Sequence, residues 1–261
     1  MPYTSTTAPM RTAWRTLGTA ATVLVLVVVG VLGWTWFGPR RTGDAHFEQS
    51  GATKVTVRTG DGDVTVRSGP GDKVTVDSDL SWSTMGEPDA NAAMRGDTFE
   101  VVGRCPTVVM GSECTVDFVV HVPDGVAVEV ITEGGTVQAS GLTGPVRLTS
   151  AAGDVKADDL SGDVVLRSEA GSITGSGLRA ANVEAGLDAG DLDLTFAAVP
   201  TAVTAVADAG DITLALAPGP YRVQVETGNG EPQISVTDDR SAPSSVTART
   251  GAGSVTVRYA G

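Results

Sequence analysis

Six acidic residues flank four Ala-Gly pairs in the second half of this chain. Glu169, Asp188 and Asp208 stand just before Ala170-Gly171, Ala189-Gly190 and Ala209-Gly210, and Asp154, Asp191 and Asp211 follow Gly153, Gly190 and Gly210. Stacked along one edge, these carboxylates could supply the oxygens that Ca²⁺ takes in sets of about six to eight. The nonapeptide calcium repeat, however, places Gly-Gly-x-Gly before its Asp, and here Asp follows a single Gly. The other reading is turn chemistry, in which Asp beside Gly accepts a hydrogen bond from local backbone and stays in water. Ca²⁺ is the one cation carried forward, and no other metal or cofactor is indicated.

The remaining reactive side chains do not converge. Cys105 and Cys114 are the only cysteines, in the run CPTVVMGSEC. An even count in an exported, β-rich segment points to a disulfide across a local loop with Gly111-Ser112 at its turn. Closing such a loop is worth about 2–3 kcal/mol in the chain-entropy treatment. Two unpaired buried thiols are the alternative; a zinc site is not, because no second pair completes four ligands. His46 and His121 stand far from any Ser/His/Asp or metal spacing. Asp158-Asp159 and Asp238-Asp239 are the adjacent acidic pairs, and neighbours on a strand point to opposite faces. Glycosidase chemistry needs two carboxylates converging across about 5–9.5 Å. The expectation is therefore a protein that is not an enzyme.

Charge narrows the partners. The chain has 261 residues with 18 Lys+Arg against 31 Asp+Glu. Arg11, Arg15, Arg40 and Arg41 precede the first acidic residue, Asp44, so residues 44–261 hold 14 basic against 31 acidic groups. Nucleic-acid binding requires a basic face and is excluded.

The N-terminal part reads differently. Residues 20–37, AATVLVLVVVGVLGWTWF, form an uncharged apolar run that reaches back to Leu17. At 1.5 Å per residue, about 20 residues cross the hydrocarbon layer. Trp14, Trp34 and Trp36 flank the run where indole rings favour the lipid–water interface. A cleaved signal peptide would have a shorter core and a small-residue cleavage site, whereas this run ends in Trp-Thr-Trp-Phe-Gly-Pro-Arg-Arg. Residues 13–38 are thus expected to be a transmembrane helix that makes the lipid bilayer a partner. A short tail, 1–12, would lie in the cytoplasm, and a linker, 39–50, would lead to an exported C-terminal domain at the cell membrane.

That domain repeats. Gly135, Gly144, Gly153, Gly162 and Gly171 are nine residues apart, and Leu142, Leu160 and Leu178 recur every 18. Triplets such as Val146-Arg147-Leu148, Val155-Lys156-Ala157 and Ile212-Thr213-Leu214 alternate apolar and polar, the period of a strand with one buried face. The Ala-Gly corners are 18, 19 and 20 residues apart. A unit of that length stacked on itself predicts an all-β fold, a parallel β-solenoid (β-helix) with 18–20-residue coils over residues 131–261. Small inward residues (Ala139, Ala157, Gly175, Ala185, Ala205) suit a narrow coil better than a β-sandwich core. Residues 51–79 carry the same alternation. Residues 80–130 break it, so 51–130 reads as a β-rich capping region. Val255 to Tyr259 reads either as an exposed edge for homotypic pairing or simply as the last coil.

The run Val122-Pro123-Asp124-Gly125-Val126-Ala127-Val128-Glu129-Val130, followed by repeated Gly-Asp-Val-x-Val and Ser-Gly-Asp-Val units, resembles a bacterial adhesin-like family of β-strand repeat domains. The resemblance covers roughly residues 45–261. It implies a β-helical domain of the cell envelope, often behind a membrane anchor, and brings no catalytic residues. The expected function is an envelope scaffold or interaction module partnered by an envelope protein or polymer. The alternative is an adhesin or sensor that binds a cell-wall polymer or Ca²⁺ through its acidic edge; a polysaccharide-active enzyme is the third class.

Overall fold

A computed structural model describes residues 22–30, 41–83, 87–106 and 114–261. Residues 22–30 are helical, and among the described residues no helix is long and apolar enough to cross a membrane. The remainder of the expected span at 13–38 lies outside the described residues. The seven side chains from Val23 to Val29 are 48–65 % exposed.

From residue 41 the chain is built of strands. In order they are β1 (Arg41–Ser50), β2 (Lys54–Asp61), β3 (Val64–Ser68), β4 (Lys73–Trp82), β5 (Asp89–Arg95), β6 (Thr98–Arg104), β7 (Cys114–Val122), β8 (Ala127–Gly134), β9 (Val137–Ser140), β10 (Val146–Ala152) and β11 (Val155–Asp158). There follow β12 (Val164–Ala170), β13 (Ile173–Leu178), β14 (Asn182–Ala189), β15 (Leu192–Phe196), β16 (Ala202–Ala209), β17 (Ile212–Leu216), β18 (Arg222–Asn229), β19 (Pro232–Ser235), β20 (Ser245–Ala252) and β21 (Val255–Tyr259). They lie in two sheets, one of 11 strands and one of 10.

Each turn of chain gives one strand to each sheet, and successive turns pair in parallel. Val146 pairs with Val164, Val164 with Val183 and Val183 with Val203, which are steps of 18, 19 and 20 residues. The repeat length in the sequence is thus the length of one coil. The two inner faces close a continuous core. Val128, Val146, Val164, Val183 and Val203 form one column from the ten-stranded sheet, and Val137, Val155, Ile173, Leu192 and Ile212 form its counterpart. Fully burying one such side chain stabilises by about 1.5–3 kcal/mol. Small residues fit beside large ones. A Cβ on Gly175 would stand 2.7 Å from Leu194 Cδ2 and 3.0 Å from Leu178 Cδ1, so glycine leaves the volume that those leucines fill.

The order of coils departs from the order of the sequence at both ends. Strands β2 and β3 stack directly on β8 and β9, with β6 and β7 outside them. Residues 54–68 are therefore a full coil of the solenoid, and the cap is narrower than the expected 51–130. It consists of β1 and β4, which add antiparallel strands beyond β7, and β5, antiparallel to β6. At the other end β21 lies between β17 and β19. This corrects the reading of Val255–Tyr259 as an edge: the end coil is β18 with β19. Coil 222–235 carries Asn229-Gly230 where the five coils with Gly153, Gly171, Gly190, Gly210 and Gly253 carry Ala-Gly, and it lies outside the coil of β20 and β21.

The corner after each strand of the ten-stranded sheet is a glycine column. Gly62, Gly135, Gly153, Gly171, Gly190, Gly210, Gly253 and Gly230 stack with φ between +101° and +152°. A Cβ on Gly171 would lie 2.4 Å from Gly153 O, and one on Gly253 would lie 2.2 Å from Gly210 O. Inside the corner, buried hydroxyls close the exposed carbonyls. Ser168 Oγ donates to Gly153 O (3.1 Å), Thr250 Oγ1 to Gly210 O (2.9 Å) and Thr132 Oγ1 to Gly134 O (2.7 Å). Buried polar groups of this kind are tolerated because they are hydrogen-bonded.

Candidate functional site

The glycine corner separates the six flanking carboxylates into two columns with different work. Asp154, Asp191 and Asp211 lie on the side of the eleven-stranded sheet. There Asp154 Oδ1 accepts the Ser172 N–H (2.9 Å), Asp191 Oδ1 the Asp211 N–H (3.1 Å) and Asp211 Oδ1 the Ser254 N–H (2.7 Å). Asp63 Oδ1 accepts the Thr136 N–H (2.7 Å), and the Asp63 N–H in turn donates to Asp117 Oδ1 (2.7 Å). Each carboxylate thus caps a backbone donor of the neighbouring coil. Where the stacked residue is Thr136, Ser172 or Ser254, the acidic column is interrupted, which relieves repulsion between like charges about 5 Å apart.

Glu169, Asp188 and Asp208 form the second column, on three successive coils, and all are exposed. They edge a shallow groove with Arg167 and Val206, opened by the missing side chain at Gly186. Among the described residues no group of three or more His, Cys, Asp or Glu side chains is arranged to hold a metal ion. The carboxylates that could have been ligands are divided between two faces, and half of them already accept main-chain hydrogen bonds.

The other reactive residues are equally dispersed. His46 on β1 bridges two carboxylates: Nδ1 lies 2.6 Å from Asp77 Oδ1 and Nε2 lies 3.5 Å from Glu48 Oε1. Its pKa is raised above the ordinary value of 6.5, first by the hydrogen bond to Asp77 and then by that to Glu48. Both ring nitrogens thus face carboxylates. His121 lines a shallow groove with Lys73, Thr75 and the same Asp77. The adjacent acidic pairs diverge. Asp158 accepts from Ser176 Oγ (2.6 Å) while Asp159 accepts from Arg179 (2.8 Å); Asp238 accepts the Val223 N–H (3.1 Å) while Asp239 accepts from Ser241. Cys105 and Cys114 are joined in a disulfide with Cα atoms 5.9 Å apart, bridging the end of β6 to the start of β7.

The outer face of the ten-stranded sheet is dressed with ion pairs between coils. Lys54 meets Glu129 (2.6 Å), Arg58 meets Glu100 (2.9 Å), Arg249 meets Glu226 (3.1 Å), and Arg167 meets Glu184. The Lys54 hydrogen bond holds Glu129 below the usual carboxylate range. Such pairs lie at the surface, with Glu100 and Glu129 half-buried, and pairs of this kind are individually worth little. The hydroxyl column at Thr132, Ser150, Ser168 and Thr250 escaped the sequence reading. Its signal was available: Ser or Thr recurs two residues before Ala-Gly or Gly-Gly, at an inward position.

Residues 122–260 match the model of the Toastrack DUF4097 family. The chain belongs to that family. This agrees with the resemblance to adhesin-like β-strand repeat domains, and the Toastrack match takes in every strand from β8 to β21. No curated protein matches the chain. Among solved structures, a candidate cell adhesion protein from Clostridium sporogenes aligns at 13 % identity over 84 % of this chain and 100 % of its own, with a TM-score of 0.37. Candidate adhesins from Bacteroides fragilis (12 % identity, 84 % and 97 % covered, TM-score 0.47) and Parabacteroides distasonis (11 %, 83 % and 97 %, 0.41) are also similar. At such identities and scores the likeness carries no ligand or partner over to this Toastrack chain.

Proposed function

We propose that this protein is a non-catalytic, membrane-anchored rod that acts outside the cytoplasm as an envelope scaffold or interaction module. One observation carries the reading: the helix at residues 22–30 is apolar on every side, yet none of its side chains from Val23 to Val29 is covered by the rod. A helix apolar all round is stable only where protein or lipid surrounds it. The described strands close a core of their own without that helix, so lipid is the surrounding we assign. The Cys105–Cys114 disulfide supports an oxidising compartment. The absence of convergent reactive groups among the described residues supports recognition by surface rather than catalysis.

Protease treatment of intact and lysed cells tests this reading. Cleavage of residues 41–261 in intact cells is the expected result, and protection until lysis overturns the proposed location. A second reading, recognition of a cell-wall polymer or Ca²⁺, is favoured by the exposed column Glu169, Asp188 and Asp208. Sedimentation with purified cell-wall polymer that is lost on neutralising all three would select it over a protein-binding scaffold.

A further inference from the structure

The end of the rod formed by β18 and β19 is an open sheet edge that is partly shut by the chain itself. An end strand offers unpaired N–H and C=O groups, a template for another strand. At Tyr221, just before β18, and at Val223 on it, such groups are taken. The Tyr221 N–H donates to Thr237 O (3.1 Å), and the Asp239 N–H donates to Tyr221 O (2.8 Å). The Val223 N–H donates to Asp238 Oδ1 (3.1 Å). The Thr237 N–H donates to the Tyr259 hydroxyl (2.9 Å), which donates to Gly219 O (2.8 Å), so the strap Thr237–Asp239 is tied to the neighbouring coil. On β19 the opening residue is Pro232, which has no N–H to present.

What lies beneath the strap is complementary to itself. Backbone groups alternate in direction along a strand. The Arg222 N–H points inward to Ser244 O (2.9 Å), so Val223, Val225 and Thr227 aim at the open side. Turn a second copy about a two-fold axis through Gln224, and the two β18 strands become antiparallel partners. Arg222 then faces Glu226 of the other copy at both ends of the ladder, and Val223 faces Val225. The Val223 N–H would donate to the second copy's Val225 O, and it is this N–H that Asp238 now holds.

We propose that the end of the rod formed by β18 and β19 is a latent homotypic interface, closed by the Thr237–Asp239 strap, whose occupant is a second copy of this chain. Strap and second copy exclude one another because they need the same donor. In this antiparallel register the two Gln224 residues are a non-hydrogen-bonded pair with Cα atoms about 4.5 Å apart. That is within disulfide reach, so cross-linking reads the pairing directly.

The test uses the full chain in lipid nanodiscs with Gln224→Cys. Alone, this variant stays monomeric on a non-reducing gel. With Asp238→Ala the cross-linked dimer rises about tenfold. Adding Arg222→Glu removes it, and adding Glu226→Arg together with Arg249→Glu, which keeps the pair that Glu226 makes with Arg249 in its own coil, restores it. Tyr259→Phe, which loosens the strap at Thr237 and leaves β18 untouched, gives the same pattern and serves if Asp238→Ala does not fold. No cross-link in either opened variant, or a cross-link indifferent to charge reversal, overturns the proposal.

Discussion

Replacing Gly171 by alanine removes no contact and adds one methyl group, yet it is expected to cost as much as a core truncation. Gly171 holds φ +134°, a conformation that side chains rarely adopt, and its Cβ would stand 2.4 Å from Gly153 O and 2.6 Å from Gly153 C. An ordinary carbon contact is about 3.5 Å, so the coils must part by about 1 Å. Two hydrogen bonds join the two coils at that point: the Gly153 N–H to Ala170 O (2.8 Å) and the Val155 N–H to Ser172 O (2.9 Å). Backbone strain contributes about 1–3 kcal/mol and each weakened hydrogen bond about 1 kcal/mol. Together they give about 3–5 kcal/mol of destabilisation. Gly60 is the internal control, since its φ is not positive and nothing lies within 4 Å of its Cβ position. Gly60→Ala should change stability by no more than about 0.5 kcal/mol. Urea unfolding of the purified chain, read as the shift in midpoint at unchanged slope, separates the two. Equal midpoints for Gly171→Ala and Gly60→Ala would show that the glycine column does not set the coil spacing.

Reducing the Cys105–Cys114 disulfide, or changing both residues to Ser, should lower stability by about 2–3 kcal/mol, with reductant having no further effect on the double variant in thermal melts. Asp154→Ala should lose about 1 kcal/mol through its orphaned Ser172 N–H, while Asp154→Asn keeps an acceptor and stays near wild type. Added Ca²⁺ should leave the melting temperature of all three unchanged, and a calcium-dependent rise abolished by Asp154→Asn would reinstate a cation site. Because the folded pKa of His46 is raised, its contribution is full below the unfolded value of 6.5 and is lost as pH rises through the folded one. NMR titration should place the His46 midpoint above 6.5, and His46→Gln should flatten the pH dependence of melting there. Leu160→Ala, at a fully buried position in the Leu142–Leu160–Leu178 column, should cost about 2–5 kcal/mol by denaturant unfolding.

The solenoid was legible because each coil repeats the same local demands. Alternation at Val146-Arg147-Leu148 fixes which face is buried, and a recurring Ala-Gly fixes where the chain turns. The candidate site was legible only as a list of carboxylates. A sequence records that Asp154 and Glu169 sit on either side of corners; it does not record that one bonds the next coil while the other faces water. Residues 80–130 read as irregular for a related reason. The aromatics and the cysteine loop at 80–122 mask β6 and β7, whose Val101, Phe118 and Val120 occupy the same inward columns as the regular coils.

Coil length, the buried face, the glycine corners and the apolar N-terminal run are properties of the sequence by itself, because each arises from interactions within some twenty residues. Stacking order is not. Strand β20 comes after β18 and β19 in the chain yet inserts between β18 and β16, so that β16 pairs with β20, 43 residues on at the corner from Gly210 to Gly253, and the same alternation would have let it pair with β18. Only the packed structure decides between equivalent rungs, since what distinguishes them is how the last coil closes: Tyr221 buried beneath it, Tyr259 bonded across it and Asp238 laid over its edge.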